Sequence, residues 1–387
     1  MSFEYFSRTK IIYGENSHQQ LGQYILEKQA NPHVTIVTDK GIVSVGISEY
    51  IEKVLKTAHI DYSLYDGVRP DPSAAQIDEV AQLIRQNNSN VVIGLGGGSA
   101  MDVAKMAALV ASDTYNAMHY ALMVNPFSTS DKLTIAIPTT AGTGAEVTST
   151  VVFSTPEGRK VWGWDEQMAP NIAILDPLFT VNLPLSITVP TTLDAFIHAM
   201  EAVSGRRTNP FIEAVGLKAI QLINENFEQL LENPKDIETR GKIALGATLA
   251  GLAIEQGGTG LGHCIGHALG TLAKVPHGQA VAISLYHCIE WLVTTTPQSY
   301  VAIQKALNVN TIEEIAKRYQ QMVEKGHLSL TINSLTEQDI EQFVSIMQAE
   351  ENQPMLQNSC ALPSKDDLQH FAKRIILGSM PKLGVDI

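Results

Sequence analysis

Cysteine is scarce in this chain of 387 residues, which has three: Cys264, Cys288 and Cys360. No two form a Cys-x-x-Cys pair, and three cannot pair completely, so no disulfide framework is expected and a reducing cytoplasm is the expected setting. The N-terminal stretch MSFEYFSRTK has no apolar core of a secretory signal. Nowhere is there an apolar run of the roughly 18 residues that a membrane helix needs. Positive charge is also in deficit, with 27 Lys and Arg against 40 Asp and Glu and a net charge of −13. Such a chain is not expected to bind nucleic acid or an anionic membrane surface. Internal repeats and low-complexity segments are absent as well.

What is present is enough apolar residue for a large core, 44% of the chain, and enough length for two domains. The first half alternates. Strands are expected at Tyr5 to Tyr13 (or a hairpin there), His33 to Thr38, Asp61 to Tyr65, Asn90 to Leu95, Leu133 to Ile137 and Asn171 to Leu175. Amphipathic helices such as Ala75 to Gln86 and Met101 to Ala111 lie between them. Apolar strands separated by helices indicate an α/β domain with a parallel sheet covered on both faces. After Pro184 the period becomes helical: Thr191 to Ser204, Pro210 to Leu231, Ile237 to Glu255, Gly262 to Ala273, Gln279 to Thr294, Thr311 to Lys325 and Lys365 to Leu377. Pro177, Pro184 and Pro190 mark a linker from Asp176 to Pro190. The expected division is an α/β domain over 1–183 and an all-helical domain over 184–387.

Three loops of the first half suit a dinucleotide. Gly96-Gly97-Gly98-Ser99 joins a strand to a helix, where bare backbone N–H groups bind phosphate. Ser99 is placed to cap that helix, with Asp102 completing a capping-box-like pair. Asp39 follows the strand HVTIVT, where a carboxylate accepts from ribose hydroxyls and repels a 2′-phosphate. Pro138-Thr139-Thr140-Ala141-Gly142-Thr143-Gly144-Ala145-Glu146-Val147-Thr148 offers small hydroxyls after another strand.

The second half carries the histidines. In Gly257 to Ala280, GGTGLGHCIGHALGTLAKVPHGQA, His263 and His267 share a helical face, and His277 follows. Gly262, Gly266 and Gly270 recur at the same spacing. Each mid-helix glycine costs about 1 kcal/mol against alanine, so another helix or a ligand is expected to approach closely there. Asp194 and His198 repeat the four-residue spacing elsewhere. A carboxylate and imidazoles from separate segments make a mixed N/O site for a divalent metal. Spacing alone leaves open whether His263 binds with His267 or with His277.

Together GGGSAMDVAK, PTTAGTGAEVT, DAFIHAMEAVSG and GHCIGHALGTLAKVPHG resemble the iron-containing (group III) alcohol dehydrogenases, in order and over essentially the whole chain. The resemblance implies a Rossmann-like dinucleotide domain followed by a helical metal domain. It implies NAD as cofactor and Fe²⁺ as metal, with Zn²⁺ in some members, held by Asp194, His198, His263 and His277. His267 is then left beside the metal as a proton relay. Gly97, Gly98, Ser99 and Asp102 fall at the pyrophosphate loop, Asp39 at the adenosine ribose, and Thr139, Thr140, Thr143, Thr148 and Lys160 along the cofactor cleft. The implied reaction is hydride transfer between NAD(H) and a small primary alcohol or aldehyde. Polyols such as glycerol and small anionic, for example sulfonated, aldehydes are the alternatives, and a non-catalytic nucleotide-binding scaffold the remote one. A homodimer through the N-terminal strand is also implied. Ser149, Ile254 and Thr259 are expected in the substrate wall. Many members carry Asn-Pro-Arg after a cysteine near the C-terminus; here Cys360 is followed by Ala361-Leu362-Pro363-Ser364-Lys365, which leaves the substrate undetermined.

Overall fold

The computed structural model describes residues 3–378. Six strands form one sheet: β1 (Lys10–Tyr13), β2 (His33–Val37), β3 (Asp61–Tyr65), β4 (Val91–Gly96), β5 (Leu133–Pro138) and β8 (Ile172–Leu175), in the order β1-β8-β5-β4-β2-β3. Every neighbouring pair is parallel. The reason lies in the sequence of the central strands. VVIGLG, LTIAIP and IAIL are buried at every position, which requires cover on both faces of the sheet. Two separate apolar clusters provide it. One contains Ile77, Val80 and Met106, the other Leu21, Ile51 and Leu55.

Strand order reverses between β2 and β4. Crossovers diverge at that point and leave a crevice at the carboxyl ends of the strands, where open α/β sheets bind ligands. Asp39 follows β2 and the glycine run ends β4, so both sit at the crevice. A Cβ placed on Gly96, which has φ +149, would lie 3.6 Å from Asp39 Oδ2.

Three expectations need correction. The first strand covers only Lys10–Tyr13; residues 5–9 run without regular structure. Between β5 and β8 the sequence reading found no strands, yet β6 (Thr150–Ser154) and β7 (Lys160–Trp164) form an antiparallel hairpin of their own. Its short strands mix buried with half-buried positions, a weaker pattern than a continuous apolar run. The expected linker to Pro190 is also too long. Helix begins at Leu185 and carries Pro190 inside it, where proline forfeits one N–H donor of the second turn.

From Leu185 onward the described residues are helical, packed around a single large apolar cluster that includes Phe196, Ile220, Leu269, Ile289 and Phe343. The close approach required by the glycine spacing is present. A Cβ on Gly266 would stand 2.8 Å from Val281 Cα, and one on Gly262 2.9 Å from Glu201 Oε1.

Candidate active site

Three helices converge on one point. Leu185–Ser204 supplies Asp194 and His198, Leu261–Ala273 supplies His263, and His277–Thr295 supplies His277 from its first residue. Pro276 stands at the N-cap of that last helix, and Gly278 lets the helix start lie against Pro190, whose oxygen would be 2.7 Å from a Cβ there. One donor atom from each of the four residues falls within 4.8 Å of the others. Asp194 Oδ1 lies 3.9 Å from His198 Nε2, 3.5 Å from His263 Nε2 and 3.6 Å from His277 Nε2. Bonds of about 2.0–2.2 Å separate tetrahedral donors by roughly 3.4 Å, so an ion fits after small contraction. Asp194 Oδ1 and His263 Nε2 are buried with no hydrogen-bond partner. A buried carboxylate oxygen and ring nitrogen without partners are costly, and a cation between them removes that cost.

The electrostatics match. Burial alone would raise the Asp194 carboxyl, but the charges of His198 and His277, and that of the nearby His263, hold it far below the usual range. Burial pushes His198 and His277 down to about 4, which leaves both as neutral ligands near neutral pH. Burial would also lower His263, yet Glu201 and Asp194 raise it to about 9. Glu201 was missed by the sequence reading. Its Oε2 lies 2.6 Å from His263 Nδ1, and Gly260 and Gly262 donate their N–H groups to it at 2.7 and 2.6 Å. The signal was available: Asp194, His198 and Glu201 follow at i, i+4 and i+7 on one helical face.

His267 stays outside the four-donor cluster. Its ring centroid is 5.3 Å from that of His277 and 6.4 Å from that of His263. Burial, then the neighbouring His277 and Lys160, hold its imidazole well below the ordinary value.

A cavity of about 600 Å³ joins this cluster to the sheet crevice. His198, His263, His267 and His277 line it from the helical side; Gly98, Ser99, Asp102, Thr143, Thr148 and Lys160 line it from the other. Gly98 faces Thr143, whose Oγ1 would be 2.9 Å from a Cβ there. Lys160 Nζ is paired with Asp71 at 2.7 Å. Asp39, Gly97, Thr139 and Thr140 are not in the cavity wall. Thr139 is buried with its N–H on Gly96, and Thr140 packs beside Gly97. Asp39 spends Oδ1 on the N–H groups of Gly41 and Ile42, as the N-cap of Lys40–Ser44.

The capping pair expected of Ser99 and Asp102 is not formed. Gly97 is the N-cap of Gly98–Val110 without a side-chain bond, and Asp102 Oδ2 instead accepts from Val152 N–H at 3.0 Å. The hairpin that the sequence reading overlooked takes that oxygen. Lys105, also overlooked, is buried beneath the cavity and donates to Thr150 O at 2.8 Å and Ala145 O at 3.1 Å.

Of the expected substrate wall, Ile254 and Thr259 line the cavity, while Ser149 lies behind it with its N–H on Glu255. The segment after Cys360 is elsewhere. Thr296 donates its hydroxyl to Cys360 Sγ at 3.1 Å, and Ser364 caps the helix Lys365–Leu377. Pro354, Met355 and Asn358, just before it, form that wall instead.

Two family models match this chain: "Iron-containing alcohol dehydrogenase" over residues 8–177 and "Fe-containing alcohol dehydrogenase family, C-terminal" over residues 188–375. It is 34% identical over 277 residues to the NAD-dependent methanol dehydrogenase of Bacillus methanolicus, covering 71% of this chain and 72% of that one. It is 32% identical over 367 residues to a 1-propanol dehydrogenase of Citrobacter freundii, covering 91% and 86%. A solved 1,3-propanediol oxidoreductase superposes with a TM-score of 0.89 at 23% identity, over 97% of this chain and all of that one.

Proposed function

Since the chain belongs to the iron-containing alcohol dehydrogenase family, we propose that it transfers hydride between NAD(H) and a small primary alcohol or its aldehyde. The observation that carries this reading is the single cavity between the four-donor cluster and the glycine-rich helix start. Asp194, His198, His263 and His277 hold Fe²⁺, or Zn²⁺ in its place, and the two orphaned buried atoms are what fit them for it. Bound there, a divalent cation would supply Lewis acidity, and a nicotinamide in the other half of the cavity would supply the hydride acceptor or donor.

The rest falls to the chain's own residues. Gly97, Gly98 and Ser99 present the helix N-terminus to a pyrophosphate, Asp39 Oδ2 remains open to a ribose, and Thr143, Thr148 and Lys160 flank the dinucleotide. Glu201 keeps the proton of His263 on Nδ1 and so leaves Nε2 free to ligate. His267, a neutral ring on the cavity wall, passes the proton of the alcohol toward solvent through a ring nitrogen. The domain boundary lies at 183/184, in the tail between β8 and the Leu185–Ser204 helix. Two copies pair through β1, whose outer edge is open and whose Ile11 and Tyr13 are exposed.

The test is NADH oxidation over a panel of aldehydes, with protein purified without air and analysed for metal. Turnover that tracks metal content supports the reading. Metal-replete protein that oxidises NADH with no aldehyde overturns it.

A further inference from the structure

The cavity wall holds several carboxylates, and each has a partner. Asp71 pairs with Lys160 at 2.7 Å. Asp102 lies 3.5 Å from Lys105 and accepts from Val152 N–H. Glu351 faces Arg159 at 3.7 Å. Glu255 takes the Ser149 N–H at 2.7 Å, and its burial raises the carboxyl. Arg207 is different. Its backbone N–H donates to Asn358 Oδ1 at 3.2 Å, but among the described residues its guanidinium has neither a carboxylate nor another acceptor. The adjacent Arg206 is anchored, with Nε donating to Ser359 O at 3.0 Å. Arg207 lines the same cavity as His198, His263 and His267.

The backbone that carries it is tied to the cavity wall, while the side chain itself is exposed. Arg207 Nη1 would be 3.8 Å from a Cβ on Gly258. Asn358 Nδ2 donates to Gly257 O at 2.7 Å and to Thr259 O at 3.0 Å. One amide side chain therefore ties Arg207's backbone to the loop that enters the His263 helix. Three loop steps and two helical ones bound the Cα–Cα distance from Gly258 to His263 at about 16 Å. Arg207 at one end and His263 at the other both line the cavity.

We propose that Arg207 sets substrate preference by pairing with an anion at the far end of the substrate, so that the favoured substrates are short aldehydes bearing a carboxylate or sulfonate remote from the carbonyl. This rests on the reading that the four-donor cluster receives the carbonyl oxygen. A guanidinium presents a planar fork of donors that matches such anions, and a neutral aldehyde leaves that fork to water. The competing anion, the pyrophosphate of the dinucleotide, has its own donors at the Gly98 helix start on the opposite wall.

The experiment compares wild type, R207M and R207K, all metal-loaded, on 4-oxobutanoate against butanal and on 5-oxopentanoate against pentanal. Wild type should favour the anionic member of each pair by at least tenfold in kcat/KM. R207M should cut that ratio at least tenfold, mainly through KM, and R207K should restore part of it. The wild-type preference should shrink as salt rises. A ratio unchanged in R207M, or a rise in the KM for NADH in place of that for the anionic aldehyde, overturns the proposal. Binding of 4-hydroxybutyrate against 1-butanol, followed by tryptophan fluorescence, needs no turnover. Arg207-dependent anion binding without NADH oxidation keeps this proposal and sinks the enzymatic reading; turnover without anion preference does the reverse.

Discussion

Glu201 Oε2 stands 2.6 Å from His263 Nδ1 while its Oε1 accepts Gly262 N–H at 2.6 Å, so one buried carboxylate orients the His263 ring and tethers the start of the helix that carries it. Carboxylates behind metal-bound imidazoles are worth roughly 10–100-fold in metal affinity. Glu201→Gln keeps the volume but turns an NH₂ toward donors. It should weaken metal binding by about that factor, measured by chelator competition. The melting point of the metal-free variant reports separately on lost capping. Unchanged metal affinity would leave Glu201 with a structural role alone.

His267 and His277 differ by their distance from Asp194, since only His277 offers an atom to the cluster. His277→Gln should therefore lose the metal. His267→Gln should keep it and slow turnover or alter the rate–pH curve. Metal analysis of both variants side by side decides; a metal-free His267→Gln with a metal-loaded His277→Gln would redraw the ligand set.

The site's histidines make the metal-free protein sensitive to pH in both directions. His198 and His277 fall from 6.5 to about 4 on burial. Between those values the unfolded chain binds more protons, so stability is lost as pH falls. His263 rises from 6.5 to about 9, against its burial, through Glu201 and Asp194. Across that window the folded chain binds more protons, so stability is lost as pH rises. Denaturant titrations of metal-free protein should peak near pH 6.5. Because metal takes His263 Nε2, uptake at pH 7.5 should release about one proton. Calorimetry in buffers of different ionisation enthalpy reads this directly, and uptake without proton release contradicts it.

Asp39 Oδ2 faces Gly96 across the crevice while Oδ1 is held by the Gly41 and Ile42 N–H groups. A carboxylate so fixed repels a 2′-phosphate. Asp39→Gly should shift the kcat/KM ratio of NADH to NADPH toward NADPH at least tenfold. A wild-type preference for NADPH would refute the assignment.

Gly266→Ala should destabilise the protein by about 1–3 kcal/mol, the usual cost of overpacking. Its Cβ would meet Val281 Cα at 2.8 Å and Val281 N at 3.0 Å, both backbone atoms that cannot step aside. Thermal melts of the variant measure this, and an unchanged melting temperature would mean that the two helices slide apart freely.

The sequence by itself determined whatever a short stretch of backbone fixes. The helical period places Asp194 and His198 on one face, and His263 and His267 on another, whatever surrounds them. Continuous apolar runs made β2, β4, β5 and β8 legible as buried parallel strands, and the strand–glycine–helix order located the glycine turn that opens the Gly98–Val110 helix. The β6–β7 hairpin escaped because its short strands mix buried with half-buried positions, and the hairpin then claimed Asp102. Tertiary structure alone brings His277, and not His267, into the four-donor cluster. Those two rings belong to helices whose crossing is set by Gly266 against Val281 and by Gly278 against Pro190, contacts between segments that no local period relates. The same holds for the pairing of Glu201 with His263 and for the unpaired guanidinium of Arg207. A charge's partner is a matter of distance through space, and that distance exists only once the helices have packed.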